Sequence, residues 1–235
     1  MNGFTVVPRL AATHLSAAAA VMPVVALMGA RQTGKSTLLR IAAGIDRPAH
    51  GSVTIDDLDL WQSEAASRRT LAYVPEHPEL TPYATIADVL QLVARLRGLS
   101  RVDVAEALER VGLLEVAWHT VRELSMGQRR RALFATALLG DPRIIVLDEP
   151  LETMDHAMRD LICDWVRARR AAGATILIAT HDLQPFAAEV DTAIVLRGGS
   201  ARVADPAELG PLADRLAYLD RLAAGPAPES QRALF

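Results

Sequence analysis

Gly29, Gly34, Lys35 and Ser36 stand at the spacing G-x-x-x-x-G-K-S, in the run Gly29-Ala30-Arg31-Gln32-Thr33-Gly34-Lys35-Ser36. Each residue type has a reason if the run wraps a triphosphate. The glycines let backbone N–H groups turn inward around phosphate oxygens. A helix beginning near Lys35 adds the positive end of its dipole. The Lys35 ammonium can reach the β- and γ-phosphates, and the Ser36 hydroxyl can ligate Mg²⁺. Lys35 is the only lysine in the chain, and it occupies the one position of the pattern that demands lysine. The rival reading is a glycine turn with an incidental Lys-Ser pair, and it leaves the strand-like and helix-like flanks unexplained. A second constellation closes the apolar run Ile144-Ile145-Val146-Leu147 with Asp148-Glu149-Pro150. The C-terminal end of a strand buried on both faces is where an open α/β sheet places its polar chemistry. Asp148 suits the Mg²⁺ shell, and Glu149 suits the orientation and polarisation of an attacking water. In isolation, two acids in a surface turn would be an equally good account; beside the phosphate loop the chemical one prevails.

These residues need a scaffold, and the hydrophobic pattern supplies one. Strands are expected over residues 24–28, 52–55, 70–74, 144–147, 175–179 and 193–196. Helices are expected over 35–43, 86–96, 102–111, 128–139 and 155–171, the fourth stopped by Gly140-Asp141-Pro142 and the fifth followed by Gly173. Strand–helix alternation argues for an α/β fold with a mostly parallel sheet. Residues 82–139 break the alternation and read as a helical subdomain inserted in a sheet core of residues 1–81 and 140–224, all within a single domain, 1–235. The small residues and prolines of 225–235 read as a loose tail.

The composition narrows the function classes. With 235 residues and 51% hydrophobic content, the chain can bury one sizeable core with a small appended subdomain. A net charge of −3 gives no bulk electrostatic case for a nucleic-acid partner. The longest apolar run, 17–30, is interrupted by Pro23, falls short of a membrane-spanning helix and has no basic segment before it, so a membrane role requires docking onto another chain. Cys163 is the only cysteine, which excludes an internal disulfide and leaves a small core residue as its reading. The histidines show no metal-ligand spacing. Trp61, Trp118 and Trp165 are assigned to packing, as is Tyr83, with a place near a partner-facing groove as its alternative. The run Arg129-Arg130-Arg131 is assigned to a solvated helix face, with a phosphate-facing role as the alternative.

Further segments carry a family resemblance. Leu124-Ser125-Met126-Gly127-Gln128 resembles the signature LSGGQ of ABC ATPases, and Leu147 to Asp155 resembles their LDEPTSGLD. Ala179-Thr180-His181-Asp182 resembles the switch-histidine segment, and Ala72-Tyr73-Val74-Pro75-Glu76-His77 the Q-loop region. The likeness runs from about residue 24 to 198, in the family's order. It implies a P-loop NTPase fold of ABC ATPase type: a RecA-like, mostly parallel sheet with a short antiparallel β part and the helical insertion. It implies ATP and Mg²⁺ as ligands, with the nucleotide held by Gly29, Ala30, Arg31, Gln32, Thr33, Gly34, Lys35, Ser36, Thr37 and Glu76. Ser125, Gly127, Gln128 and Asp155 would grip the nucleotide of a second ATPase subunit, a copy or a sister chain. Ser36, Asp148 and Glu76 are the implied metal ligands; Lys35, Glu149 and His181 are the implied catalytic residues. The implied role is the ATP-hydrolysing subunit of a transporter, docked on a transmembrane permease at the cytoplasmic face of the cell membrane.

The sequence departs from the family pattern in places. Met126 replaces the first signature glycine, Gln32 stands where glycine is frequent, and Glu76 stands where glutamine is usual. The wording Pro75-Glu76-His77 resembles ABC-2-type exporters and leans toward export. Phe4 is the nearest aromatic for stacking on adenine. Met126 and Gln32 favour an alternative, a non-catalytic or weakly hydrolysing regulatory subunit. A chromosome or DNA-repair ATPase shares the signature but needs a long coiled coil between Lys35 and Ser125, and no sustained heptads occur there.

Overall fold

The computed structural model describes residues 23–30, 32–50, 52–55, 58–197, 200–204 and 209–224. Phe4, Arg31 and the tail 225–235 lie outside the described residues. The sheet is built from β1 (Val24–Met28), β4 (Leu71–Val74), β5 (Ile144–Asp148), β6 (Thr175–Ala179), β7 (Thr192–Arg197) and β8 (Ser200–Val203). Their order is β4-β5-β6-β1-β7-β8; every pairing is parallel except β7 with β8. A separate antiparallel pair joins β2 (Thr54–Ile55) to β3 (Leu58–Asp59). The central strand β1 is buried along its whole length, which is why it reads as an unbroken apolar run rather than an alternating one.

Register decides where the chemistry falls. Asp148 and Leu27 both stand opposite Ala179, so β1, β5 and β6 end level with one another. The loop after β1, the acids ending β5 and the His181 segment after β6 are thereby brought to one edge of the sheet. Helix α1 (Lys35–Ala42) follows β1, and α2 (Glu64–Arg69) precedes β4. Between β4 and β5 the chain is helical: α3 (Ile86–Arg97), α4 (Arg101–Arg110) and α5 (Met126–Leu138). Two further α-helices, α6 (His156–Ala171) and α7 (Leu212–Ala224), follow β5 and β8, and short 3-10 turns lie at Leu114–Val116, Val121–Glu123 and Gln184–Phe186.

The helical segment is fastened to the sheet by specific contacts. Phe134 of α5 meets Trp165 of α6 edge to face, with centroids 5.3 Å apart and planes at 81°. Such a pair adds about 0.5–1.5 kcal/mol beyond its buried area. Arg97, ending α3, donates to the carbonyls of Thr136 and Leu139 at 2.8 Å each and of Leu71 at 3.0 Å. One guanidinium therefore satisfies the otherwise orphaned carbonyls ending α5 and ties that helix to β4.

Several expectations shift. The signature helix α5 begins at Met126, two residues before the expected 128, because Ser125 caps it: Gln128 N–H donates to Ser125 Oγ at 3.2 Å and Ser125 N–H to Gln128 Oε1 at 2.9 Å. The elements α2, β3, β8 and α7 were not read from the pattern. Trp165 is buried and Cys163 is half-buried, but Trp118 and Tyr83 are 70% and 76% exposed, against the packing assigned to them. Both lie in turns outside the helices, where no apolar stripe draws them inward.

Candidate active site

The phosphate-loop geometry depends on its glycines. Gly29 has φ +145°, and a Cβ there would lie 2.3 Å from the Leu196 carbonyl oxygen and 2.8 Å from Thr33 Oγ1. Only glycine passes so close to β7. Gly34, at φ +93°, caps α1 with no side-chain hydrogen bond, leaving the first-turn N–H groups without a side-chain acceptor. The Thr33 hydroxyl donates to the Ala30 carbonyl at 2.8 Å. Lys35 Nζ donates to the carbonyls of Gly29 at 2.6 Å and Ala30 at 3.0 Å, bracing the loop from within.

The acids lie opposite. Asp148 is buried, and its Oδ1 has no hydrogen-bond partner. Burial pushes its carboxyl up to about 6; the Ser36 hydroxyl, which hydrogen-bonds to it, opposes this, Glu76 and Glu149 reinforce it, and Lys35 pulls it down. An orphaned buried carboxylate oxygen beside a serine hydroxyl is chemically suited to a divalent cation, so Ser36 and Asp148 fit Mg²⁺. Glu149 takes φ +48°, with its N–H donating to the Ala179 carbonyl at 2.8 Å. His181 lies over its carboxylate: the backbone N–H donates to Glu149 Oε2 at 3.2 Å, and Nδ1 is 2.9 Å from the same oxygen. The Glu149 side chain is only 12% exposed and that of His181 63%, so the imidazole is the outer member of the pair.

A cleft of about 830 Å³ gathers Gly29, Ala30, Gln32, Gly34, Lys35, Ser36, Thr37, Glu76, Asp148, Glu149 and His181. That volume lies in the range of small-ligand sites. Thr33 braces the loop through Ala30, and Glu152, not named from the sequence, also lines the cleft. Ser125, Gly127, Gln128 and Asp155 are not there. They line a second cleft of about 500 Å³ together with Arg131 and Thr153. Asp155 caps α6 by accepting the Met158 N–H at 2.9 Å and pairs with Arg131; both contacts hold its carboxyl below the usual range, the backbone bond foremost. Met126 is 57% exposed at the start of α5.

The arginine run is not a solvated face. Arg129 donates to the carbonyls of Val121 at 3.0 Å and Arg122 at 2.9 Å. Arg130 is buried against Glu76 and Glu152, and Arg131 is paired with Asp155. The sequence held a signal for this: Arg130 shares a helical stripe with Leu133, Phe134 and Ala137, all buried. A cation on an apolar stripe requires a buried acceptor.

A family model described as ABC transporter matches residues 14–152, more than half of the chain. The chain belongs to the ABC transporter family. The Fe(3+) ions import ATP-binding protein FbpC of Streptomyces coelicolor is 35% identical over 181 residues, covering 75% of this chain and 52% of that protein. The Nod factor export ATP-binding protein I of Cupriavidus metallidurans is 34% identical over 162 residues, covering 67% and 54%. The chain thus spans about half the length of these relatives. They include a protein named for import and one named for export, so the likeness sets no direction. An ATP-binding cassette solved as a dimer in a post-hydrolysis state with ADP and Pi superposes with a TM-score of 0.70 at 26% identity, covering 78% of this chain and 85% of that one.

Within the ABC transporter pattern, Thr153 stands at the glycine of LDEPTSGLD and retains the left-handed backbone, with φ +58°. A β-branched residue in that region is strained by about 1–2 kcal/mol. Thr153→Gly removes that strain and returns part of it as chain entropy. We expect a net gain near 1 kcal/mol, seen as a rise of about 2–4 °C in thermal midpoint. A lowered midpoint would show that the threonine side chain, not the backbone, dominates that turn.

Proposed function

We propose that the chain binds ATP with Mg²⁺ in the larger cleft and hydrolyses it, energising a transporter whose membrane-spanning subunit is a separate chain. The observation that carries this reading is the meeting of the phosphate loop, the buried Asp148 and the Glu149–His181 pair at one edge of the sheet. The ammonium of Lys35 has three donors. Two hold loop carbonyls, so the third is available to a phosphate oxygen. The bare N–H groups beginning α1 orient the other oxygens. Ser36 and Asp148, with Glu76 nearby, would hold Mg²⁺, which would supply neutralisation of phosphate charge. Glu149 orients the attacking water and accepts its proton, and His181 fixes that carboxylate through Nδ1 and its backbone N–H.

The separation of the signature residues into their own cleft supports a two-chain site. Ser125, Gly127 and Gln128 of one copy would close over the nucleotide held by the phosphate loop of another, a copy or a sister chain. The dimeric cassette with ADP and Pi supports the same arrangement. ATP favours the closed pair because it alone contacts both halves, and hydrolysis reopens it. Residues 82–139, as a helical subdomain, would pass this motion to the membrane partner. The chain would dock on that partner at the cytoplasmic face of the membrane; among the described residues no helix is long and apolar enough to cross a membrane.

The test is phosphate release by the purified chain with ATP and Mg²⁺, alone and with its co-purified membrane partner. We expect turnover, and a fall of at least about tenfold in His181→Ala, since that variant frees the catalytic carboxylate. Nucleotide binding without turnover in either preparation would overturn the hydrolytic reading.

A further inference from the structure

We propose that Arg130 is a positioning residue: its buried guanidinium fixes the turn carrying Glu149 and the carbonyl of Glu76, and ties both to the helix that opens the second cleft. The proposal rests on the ATP-hydrolysis reading of the larger cleft. Arg130 is 7% exposed. Its Nη1 donates to the Glu152 carbonyl, and its Nη2 donates to the Glu76 carbonyl at 2.5 Å and to Glu152 Oε2 at 3.0 Å. One planar fork thus meets three acceptors on two segments that both line the nucleotide cleft.

The grip on Glu152 reaches Glu149 through the backbone. Glu152 N–H donates to the Glu149 carbonyl at 3.2 Å, so the two residues are the ends of one tight turn. Glu149 begins that turn in a left-handed conformation. A non-glycine residue held there costs about 1–3 kcal/mol and persists only when its surroundings over-determine it. The Ala179 carbonyl fixes one side by accepting the Glu149 N–H, and Arg130 fixes the other by holding residue 152 at both its carbonyl and its carboxylate. The direction in which Glu149 presents its side chain therefore depends on a guanidinium that touches no nucleotide.

The placement of Arg130 adds a second consequence. It lies in α5, whose cap is Ser125 in the smaller cleft, and the next residue, Arg131, pairs with Asp155 there. Adjacent side chains of one helical turn hold the two clefts, Arg130 the larger and Arg131 the smaller. A displacement of α5 by a nucleotide on the signature side is delivered to Glu76 and Glu149 of the same chain.

The experiment compares Arg130→Lys, Glu152→Gln and the double variant with wild type. Lysine keeps the charge but replaces the fork by a point donor, so the geometry is lost while the buried cation is retained. We expect Arg130→Lys to lower kcat about 10–100-fold, the scale of an ångström-sized misplacement. ATP affinity should stay within about threefold, because the phosphate loop is untouched. Glu152→Gln should lower kcat less, since both carbonyl contacts remain. The double variant should be no slower than Arg130→Lys, because the two residues act through one clamp. Amide hydrogen exchange, read independently of turnover, should rise at residues 76–77, 149 and 151–153 in Arg130→Lys and not across the sheet. Unchanged kcat in Arg130→Lys, or unchanged exchange at both segments, overturns the proposal. Additive losses in the double variant overturn it as well. If Arg130→Lys does not fold, Glu152→Gln decides: unchanged kcat and exchange sink the clamp, and lowered kcat with intact affinity supports it. Absent turnover in wild type with responsive exchange removes the hydrolytic reading and leaves the clamp standing.

Discussion

Glu149→Gln should lower ATP turnover by about 10²–10⁴-fold, the contribution expected of a positioned general base, while the nucleotide remains bound. The change is nearly isosteric. The amide oxygen still accepts the His181 N–H, and the Ala179 contact involves only the backbone, so the turn keeps its shape. What is lost is the negative charge that accepts a proton from water. What is gained is relief of the repulsion between neighbouring carboxylates, because Glu149 raises the proton affinity of Asp148. Nucleotide affinity should therefore hold or improve. With hydrolysis blocked, the pair of chains closed across ATP should accumulate, and light scattering should report twice the monomer mass with ATP and monomer with ADP. Phosphate release at the wild-type rate would remove Glu149 from the role of base. A monomer in ATP would contradict the division of the site between two chains.

How much of this was legible in the sequence depended on the range of each interaction. The phosphate loop is local: glycine spacing, one lysine and a following helix lie within eight consecutive residues, so Gly29 to Ser36 could be read directly. The parallel strands were equally plain, because a strand buried on both faces leaves a continuous apolar run and β1 is one. Asp148 and Glu149 followed from their place at the end of such a run. The Arg130–Glu152 pair did not, since its members stand 22 residues apart, Arg130 follows the signature and Glu152 stands at an unmatched position of the LDEPTSGLD-like segment. The apolar stripe under Arg130 was visible, but its acceptor was not. The same limit applies to the clefts. Sequence order places Ser125 between the phosphate loop and Asp148, yet the fold carries it to a different cavity. The path of α5, fastened by Arg97 and the Phe134–Trp165 contact, carries the signature residues to that second cleft.

Lys35→Ala should weaken ATP binding by at least about tenfold. A hydrogen bond to a charged group contributes about 1.5–3 kcal/mol, and each 1.4 kcal/mol is a factor of ten. The lysine serves the nucleotide twice. Directly, its third donor would meet a phosphate oxygen. Indirectly, its other donors hold the carbonyls of Gly29 and Ala30, and without them the loop loses two bonds that shape it before ligand arrives. The second effect separates this variant from a simple loss of charge. Lys35→Arg retains a cation, but its planar fork does not reproduce a compact ammonium between two carbonyls and a phosphate, so it should bind only partly better than alanine. The fold should persist in both, because Lys35 is only half-buried and the core beneath it is made by Leu38 and Leu39. Equilibrium binding of a fluorescent ATP analogue, with the thermal midpoint measured in parallel, separates the two effects. An unchanged dissociation constant in Lys35→Ala, with the protein folded, would mean that the triphosphate is not held by this loop, and the assignments of Ser36, Asp148 and Glu149 would fall with it.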